Sequence, residues 1–292
     1  MIQKNYKDKL FNYMFGREER KDYLLSLYNA LNDKEYTNLD DLTIYTIEDA
    51  IYIGYKNDVS CLVASDEVLS LYEQQSTYNP NMPIRGIFYF SELYQKYIKT
   101  NKLNMYGSSL IKLPTPEYYV FYIGKKNVPE RVELKLSDMF NDDTGVLECT
   151  ATMININIGN NVKLIQKCKP LHDYSTFINR VYHYQEIYDT IEEAIDKAVN
   201  SCIKDGILSD LLSAHKAEVS KMLLTEFNEE EYIDMVKAEG IEIGKTEGIE
   251  IGKTEGVEIG KKKMILELIS DGIITPEQGA ERLGVSLEEL NK

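Results

Sequence analysis

Histidine and cysteine are scarce. Three His and four Cys in 292 residues, with no Cys-x-x-Cys spacing among Cys61, Cys149, Cys168 and Cys202, exclude a zinc-finger or zinc-ribbon pattern. No stretch approaches the roughly 18 consecutive apolar residues of a membrane span. The N-terminal MIQKNYKDKLFNYMF is charged throughout, without the apolar run of a signal peptide. These absences predict a cytoplasmic chain with reduced cysteines and no membrane partner. Tryptophan is absent while tyrosine numbers 22, a bias without functional meaning by itself.

Positive charge is also in short supply, with a net charge of -15. That is unfavourable for nucleic-acid binding, which rests on neutralising phosphates with Lys and Arg. The deficit is uneven. Residues 1–130 hold 15 Lys+Arg against 17 Asp+Glu, whereas residues 131–292 hold 18 against 31. Any DNA contact is therefore expected in the N-terminal half.

What is present is the composition of a globular protein, with 43% apolar and 28% charged residues. Apolar residues at three- and four-residue spacing predict helix from Tyr6 to Leu31, divided near Gly16. Short β-branched and aromatic runs at 43–47, 50–55, 58–63 and 68–75 predict strands. Pro83 suits the first turn of a helix reaching Tyr97. Tyr118 to Ile123 is a continuous apolar run, as in a sheet centre. Further strand is expected within 147–158 and helix from 174 to about 227. The pattern as a whole is α/β or α+β with a helical C-terminal extension.

Asn57 to Gln75 reads NDVSCLVASDEVLSLYEQQ, two strands around a four-residue turn. If Val63 pairs with Val68, Asp58 falls opposite Glu73. Gln75 then shares the face of Glu73, and Tyr72 and Gln74 point the other way. Two opposed carboxylates repel unless a cation lies between them, which suits a hard divalent ion such as Mg²⁺. An Asp at a strand edge is, by spacing alone, more often solvated than catalytic.

The segments KNDVSCLVASDEVLSLYEQQSTYNPNMPIRGIFYFSELYQKYI, LIKLPTPEYYVFYIG and RVELKLSDMF, in that order, resemble the PD-(D/E)XK nuclease-family transposases, also called recombination-promoting nucleases. The resemblance implies a restriction-endonuclease-like core of order α-β-β-β-α-β over residues 1–180. It also implies Mg²⁺- or Mn²⁺-dependent cleavage of DNA and a part in recombination or in defence against foreign DNA. By position, Asp58 matches the motif aspartate and Glu73 the acidic residue of the (D/E)xK element, and these two are the expected metal ligands. Gln75 stands where the wider family has lysine, and its neutral amide can orient but not charge-stabilise. Asp8 occupies the place of an additional acidic residue, or is an exposed first-turn Asp favoured by the helix dipole. Arg85 and Tyr89, one helical turn apart, either hold a phosphate at the site or belong to the helix surface. A catalytically inactive DNA-binding or assembly protein on the same fold is the competing function.

Beyond the core, 181–238 is expected as a helical extension, 239–263 as a Gly-rich octad repeat and 264–292 as a small helical cap. The repeat EGIEIGKT-EGIEIGKT-EGVEIGK places Gly at every fourth position from Gly240 to Gly260. Six glycines each cost a helix about 1 kcal/mol relative to Ala. Two readings stay open, a flexible linker and a helix that another chain approaches closely, which makes a homo-oligomer through this repeat. Thr275-Pro276-Glu277-Gln278 and Ser286-Leu287-Glu288-Glu289 are capping boxes. They resemble the start of a helix-turn-helix, but residues 264–292 carry two basic groups against six acidic ones.

Overall fold

The computed structural model describes residues 10–45, 59–64, 67–142 and 145–290. The chain divides into two compact units, Met1–Phe227 and Asn228–Lys292. In the first, α1 (Leu10–Phe15) and α2 (Lys21–Asn32) precede β1 (Leu42–Ile44), β2 (Val59–Val63) and β3 (Val68–Gln75). Then come α3 (Met82–Thr100), β4 (Thr115–Tyr122), β5 (Arg131–Lys135) and β6 (Thr150–Asn155). Helices α4 (Val162–Lys167), α5 (Lys169–Gln185) and α6 (Ile191–Lys204) follow. Through β4 this is the α-β-β-β-α-β order that the family resemblance implies.

The six strands lie in the order β1-β2-β3-β4-β6-β5. β2 and β3 are antiparallel in the expected register, Val63 with Val68 through Val59 with Tyr72. β3 and β4 are parallel, with Leu71 beside Tyr118, Glu73 beside Val120 and Gln75 beside Tyr122. A parallel pair needs a crossover, and α3 supplies it. The strand expected at 50–55 lies outside the described residues.

Both faces of the sheet are covered, so the central strands are apolar on both sides. On one face Val59, Cys61, Val63, Tyr72, Phe121 and Ile154 pack with residues of α1, α2 and α5. On the other, Leu69, Leu71, Tyr118, Val120 and Tyr122 pack against Met82, Tyr89, Phe90 and Leu93 of α3. The segment read as a helical extension contributes Val181, Ala198, Val199, Leu212 and Leu223 to the first of these cores. Sequence periodicity did not flag β5, whose five residues are largely exposed, as befits an edge strand that among the described residues pairs with β6 alone.

Helix α7 (Ser209–Ser270), with a non-helical break at His215, carries the octad repeat. Of the two readings the helix is the one found. Gly244, Gly248, Gly252, Gly256 and Gly260 have nothing within 4 Å of the position a Cβ would take. Ile241, Ile249, Ile251, Val257 and Ile259 are exposed. In the second unit α8 (Pro276–Leu283) starts on the expected Thr275–Gln278 capping box, and Gly284 closes it in the left-handed region at φ 67°. Helix α9 (Leu287–Leu290) has four residues, too short for a recognition helix.

Two glycines are expected to respond in opposite ways to alanine. A Cβ on Gly124 would lie 1.9 Å from the Ser76 carbonyl oxygen, so Gly124→Ala should destabilise by about 1–3 kcal/mol or more, as overpacking does. Gly252→Ala meets open space and should strengthen α7 by up to about 1 kcal/mol. Urea denaturation and helical circular dichroism check the two; a tolerated Gly124→Ala would contradict the close β3–β4 exit.

Candidate active site

Glu73 sits near the end of β3, held by strand pairing on β4 and exposed to only 1%. A carboxylate so deep is costly unless a cation and hydrogen-bond donors reach it. The cation is Arg85, whose Nη2 lies 2.9 Å from Glu73 Oε2. Arg85 comes from the first turns of α3, with Pro83 at the start of that helix where its missing N–H costs nothing. Its Nη2 also donates to the Tyr89 hydroxyl at 3.0 Å, and its Nη1 approaches Met82 Sδ at 3.6 Å.

The pair meets because α3 runs unusually close to the sheet. A Cβ on Gly86 would fall 2.7 Å from the Tyr118 ring and 2.9 Å from Cys149 Sγ. Glycine at 86 therefore lets the helix settle on β4 and brings the adjacent Arg85 onto β3.

Burial by itself pulls the Arg85 pKa down, but the charge of Glu73 and the bond to Tyr89 more than offset this and the net shift is upward. Arg85 is thus a fixed cation. Burial first, and then the field of Glu73, pushes the Tyr118 hydroxyl well above its ordinary value. That hydroxyl is buried and has no hydrogen-bond partner among the described residues. It is a neutral phenol in reach of the same charges. Neither Gly86 nor Tyr118 was picked out from sequence, where a helical Gly and a strand Tyr carry no chemical signal of their own.

Of the residues singled out by sequence, the fold brings together Glu73, Arg85 and Tyr89. Gln75 is half-buried, two residues beyond Glu73 on β3, with its carbonyl accepting from Ile123 N at 3.0 Å. Strand alternation places its side chain on the Glu73 face, and Tyr72 packs into the opposite core. Asp58 and Asp8 lie outside the described residues. The observed β2–β3 register reaches Val59–Tyr72, the pair next to Asp58 and Glu73. Among the described residues no group of three or more His, Cys, Asp or Glu could hold a metal. What they do provide is a hard oxygen donor, the Glu73 carboxylate, with a demand for positive charge at its oxygens. That donor type fits Mg²⁺ or Mn²⁺ and not a soft metal.

A family model for PD-(D/E)XK nuclease family transposases matches residues 5–169. No curated protein and no solved structure gives a significant match.

Removing only the cation should leave the carboxylate stranded. Arg85→Met is expected to destabilise by about 3–5 kcal/mol, and the double variant Arg85→Met/Glu73→Gln by clearly less, as found when one or both partners of a buried pair are removed. Chemical denaturation measures this; equal losses for single and double variants would mean that the pair is not what holds α3 to β3.

Proposed function

Since this chain belongs to the PD-(D/E)XK nuclease family transposases, we propose that it is a metal-dependent endonuclease hydrolysing phosphodiester bonds of DNA in recombination. The observation that carries the proposal is the buried Glu73 at the end of β3, with its charge met by Arg85 from the crossover helix. In this reading Glu73 and Asp58 hold Mg²⁺ or Mn²⁺, and Asp8 adds a further carboxylate. The bound ion would activate the attacking water and stabilise charge on the phosphodiester.

The chain's own groups do the rest. The Gln75 amide orients the water by hydrogen bonding but brings no charge. The positive charge that a lysine would bring from β3 comes instead from Arg85, which with Tyr89 holds a phosphate oxygen when DNA is present. A planar guanidinium suits that task because it can bond a phosphate and its neighbouring phenol at once. The Tyr118 hydroxyl is a further neutral donor within the same cluster.

Gln75 is also what favours the second reading, a catalytically inactive DNA-binding or assembly protein. Under either reading we assign the DNA contact to the N-terminal unit and homo-oligomer formation to the octad helix. Support for the latter is the run of glycines beside exposed Ile and Val, which permits close helix–helix approach. No described helix is long and apolar enough to cross a membrane, and in this reading the protein acts on DNA in the cytoplasm.

With Mg²⁺ or Mn²⁺, the wild-type protein should nick or linearise plasmid DNA. Glu73→Gln and Asp58→Asn should abolish this, and Arg85→Gln should lower kcat by roughly 100–1,000-fold, as loss of one transition-state donor does. Unchanged cleavage by Glu73→Gln would sink the site assignment. Tight DNA binding without cleavage in either metal would favour the inactive reading. Deleting residues 239–292 should turn an oligomer into a monomer by light scattering; a wild-type monomer would refute assembly through the repeat.

A further inference from the structure

Between Glu92 and Glu117 the chain contains no acidic residue but four lysines, Lys96, Lys99, Lys102 and Lys112. In a protein of net charge -15 this is a local reversal. It covers the last turns of α3 and the loop to β4. All four lysines are exposed. Lys99, Lys102 and Lys112 form no ion pair among the described residues, and Lys96 lies over the Tyr45 ring at 4.6 Å.

The loop is a built surface. Leu103 N donates to Ile98 O, Tyr106 N to Asn104 Oδ1, and Tyr94 Oη to Pro114 O. The last of these ties the far end of the loop back to α3. Together they bound a groove of about 860 Å³ whose lining includes Lys96, Lys99, Lys102, Asn104 and Met105. Beside it Tyr106 is 91% and Leu110 92% exposed. The helix dipole accounts for a lysine at position 99. It does not account for Lys102 or Lys112, which lie beyond the helix, nor for exposed apolar side chains interleaved with them.

The placement relative to Glu73 gives this patch its meaning. At 100° per residue, Arg85, Tyr89, Lys96 and Lys99 fall on one stripe of α3 about 80° wide, along the border of its buried face. Glu92 is the one carboxylate on the stripe. Arg85 and Lys99 are separated by roughly 21 Å along the axis, the rise of about six base pairs at 3.4 Å each.

We propose that the C-terminal end of α3 and the loop 101–113 form a docking surface for the phosphate backbone of duplex DNA, collinear with Arg85. Lys96, Lys99 and Lys102 contact phosphates about half a helical turn from the one at Arg85. Tyr106 and Leu110 pack on the sugar edge. The contact is with backbone, so it confers affinity and register rather than sequence preference. This deepens the nuclease reading and rests on it for the nature of the ligand.

The test is fluorescence anisotropy of the full chain with a labelled 20-base-pair duplex, without divalent cations, over a series of salt concentrations. For the Lys96→Ala/Lys99→Ala/Lys102→Ala variant, the slope of log affinity against log salt should become shallower by about 2.7, or 0.9 per lost phosphate contact. Affinity in 0.1 M salt should fall roughly tenfold or more for all duplex sequences alike. A Lys261→Gln/Lys262→Gln/Lys263→Gln control should keep the wild-type slope. Equal slopes for the wild type and the α3 variant would overturn the proposal and leave the nuclease reading standing. Binding of phosphatidylserine vesicles but not DNA would overturn both. DNA binding that is lost in the variant, by a wild type that never cleaves, would uphold the dock and refute the enzyme.

Discussion

A carboxylate buried in the middle of a covered sheet constrains everything around it. Glu73 lies in β3 with strands on both sides and helix α3 over its face, so its charge must be met from within the protein. Arg85 meets it at 2.9 Å, and only a helix crossing close to β4 can bring it there. Gly86 makes that approach possible, because any larger residue would strike the Tyr118 ring. The position of α3, the parallel pairing of β3 with β4 and the phenol cluster of Tyr89 and Tyr118 are thus parts of one arrangement.

The same arrangement separates the two faces of the sheet. Tyr72 and Phe121 pack with α1, α2 and α5 in an apolar core, while Glu73, alternate in the strand, faces α3. The Glu73–Arg85 ion pair lies on the α3 side, near the end of β3. The fold and the match over residues 5–169 establish a PD-(D/E)XK nuclease-like domain. The departure from the wider pattern at Gln75 is accompanied by a fixed cation from the crossover helix, so charge is present near Glu73 although β3 does not bring it.

Charge is also distributed with a direction. Most of the acidity resides in residues 131–292, and an acid-free stretch with four lysines, residues 93–116, runs along the end of α3 and into the loop after it. The octad helix is a different kind of surface. From Gly244 to Gly260 its glycines leave open space, and Ile241, Ile249, Ile251, Val257 and Ile259 stay exposed, which an isolated helix in water has no reason to retain. Local pattern could not choose between linker and helix there, because six glycines weaken a helix without forbidding it.

Much of the fold was legible in local periodicity. The alternation in Asp58 to Gln75 and its turn set the hairpin register, Pro83 marked the start of α3, and the apolar run at 118–123 marked a central strand. The capping box at Thr275 was readable for the same reason, since it is made by residues three apart. β5 was not, because an exposed edge strand lacks the apolar signature of a buried one. The sequence also singled out Glu73, Arg85 and Tyr89 as candidates but could not join them. Glu73 and Arg85 are in contact through the handed crossover of α3 and the close approach at Gly86. By itself the sequence determined which residues share a face of their own strand or helix; the tertiary structure decided which faces meet, because that depends on packing between elements distant in the chain.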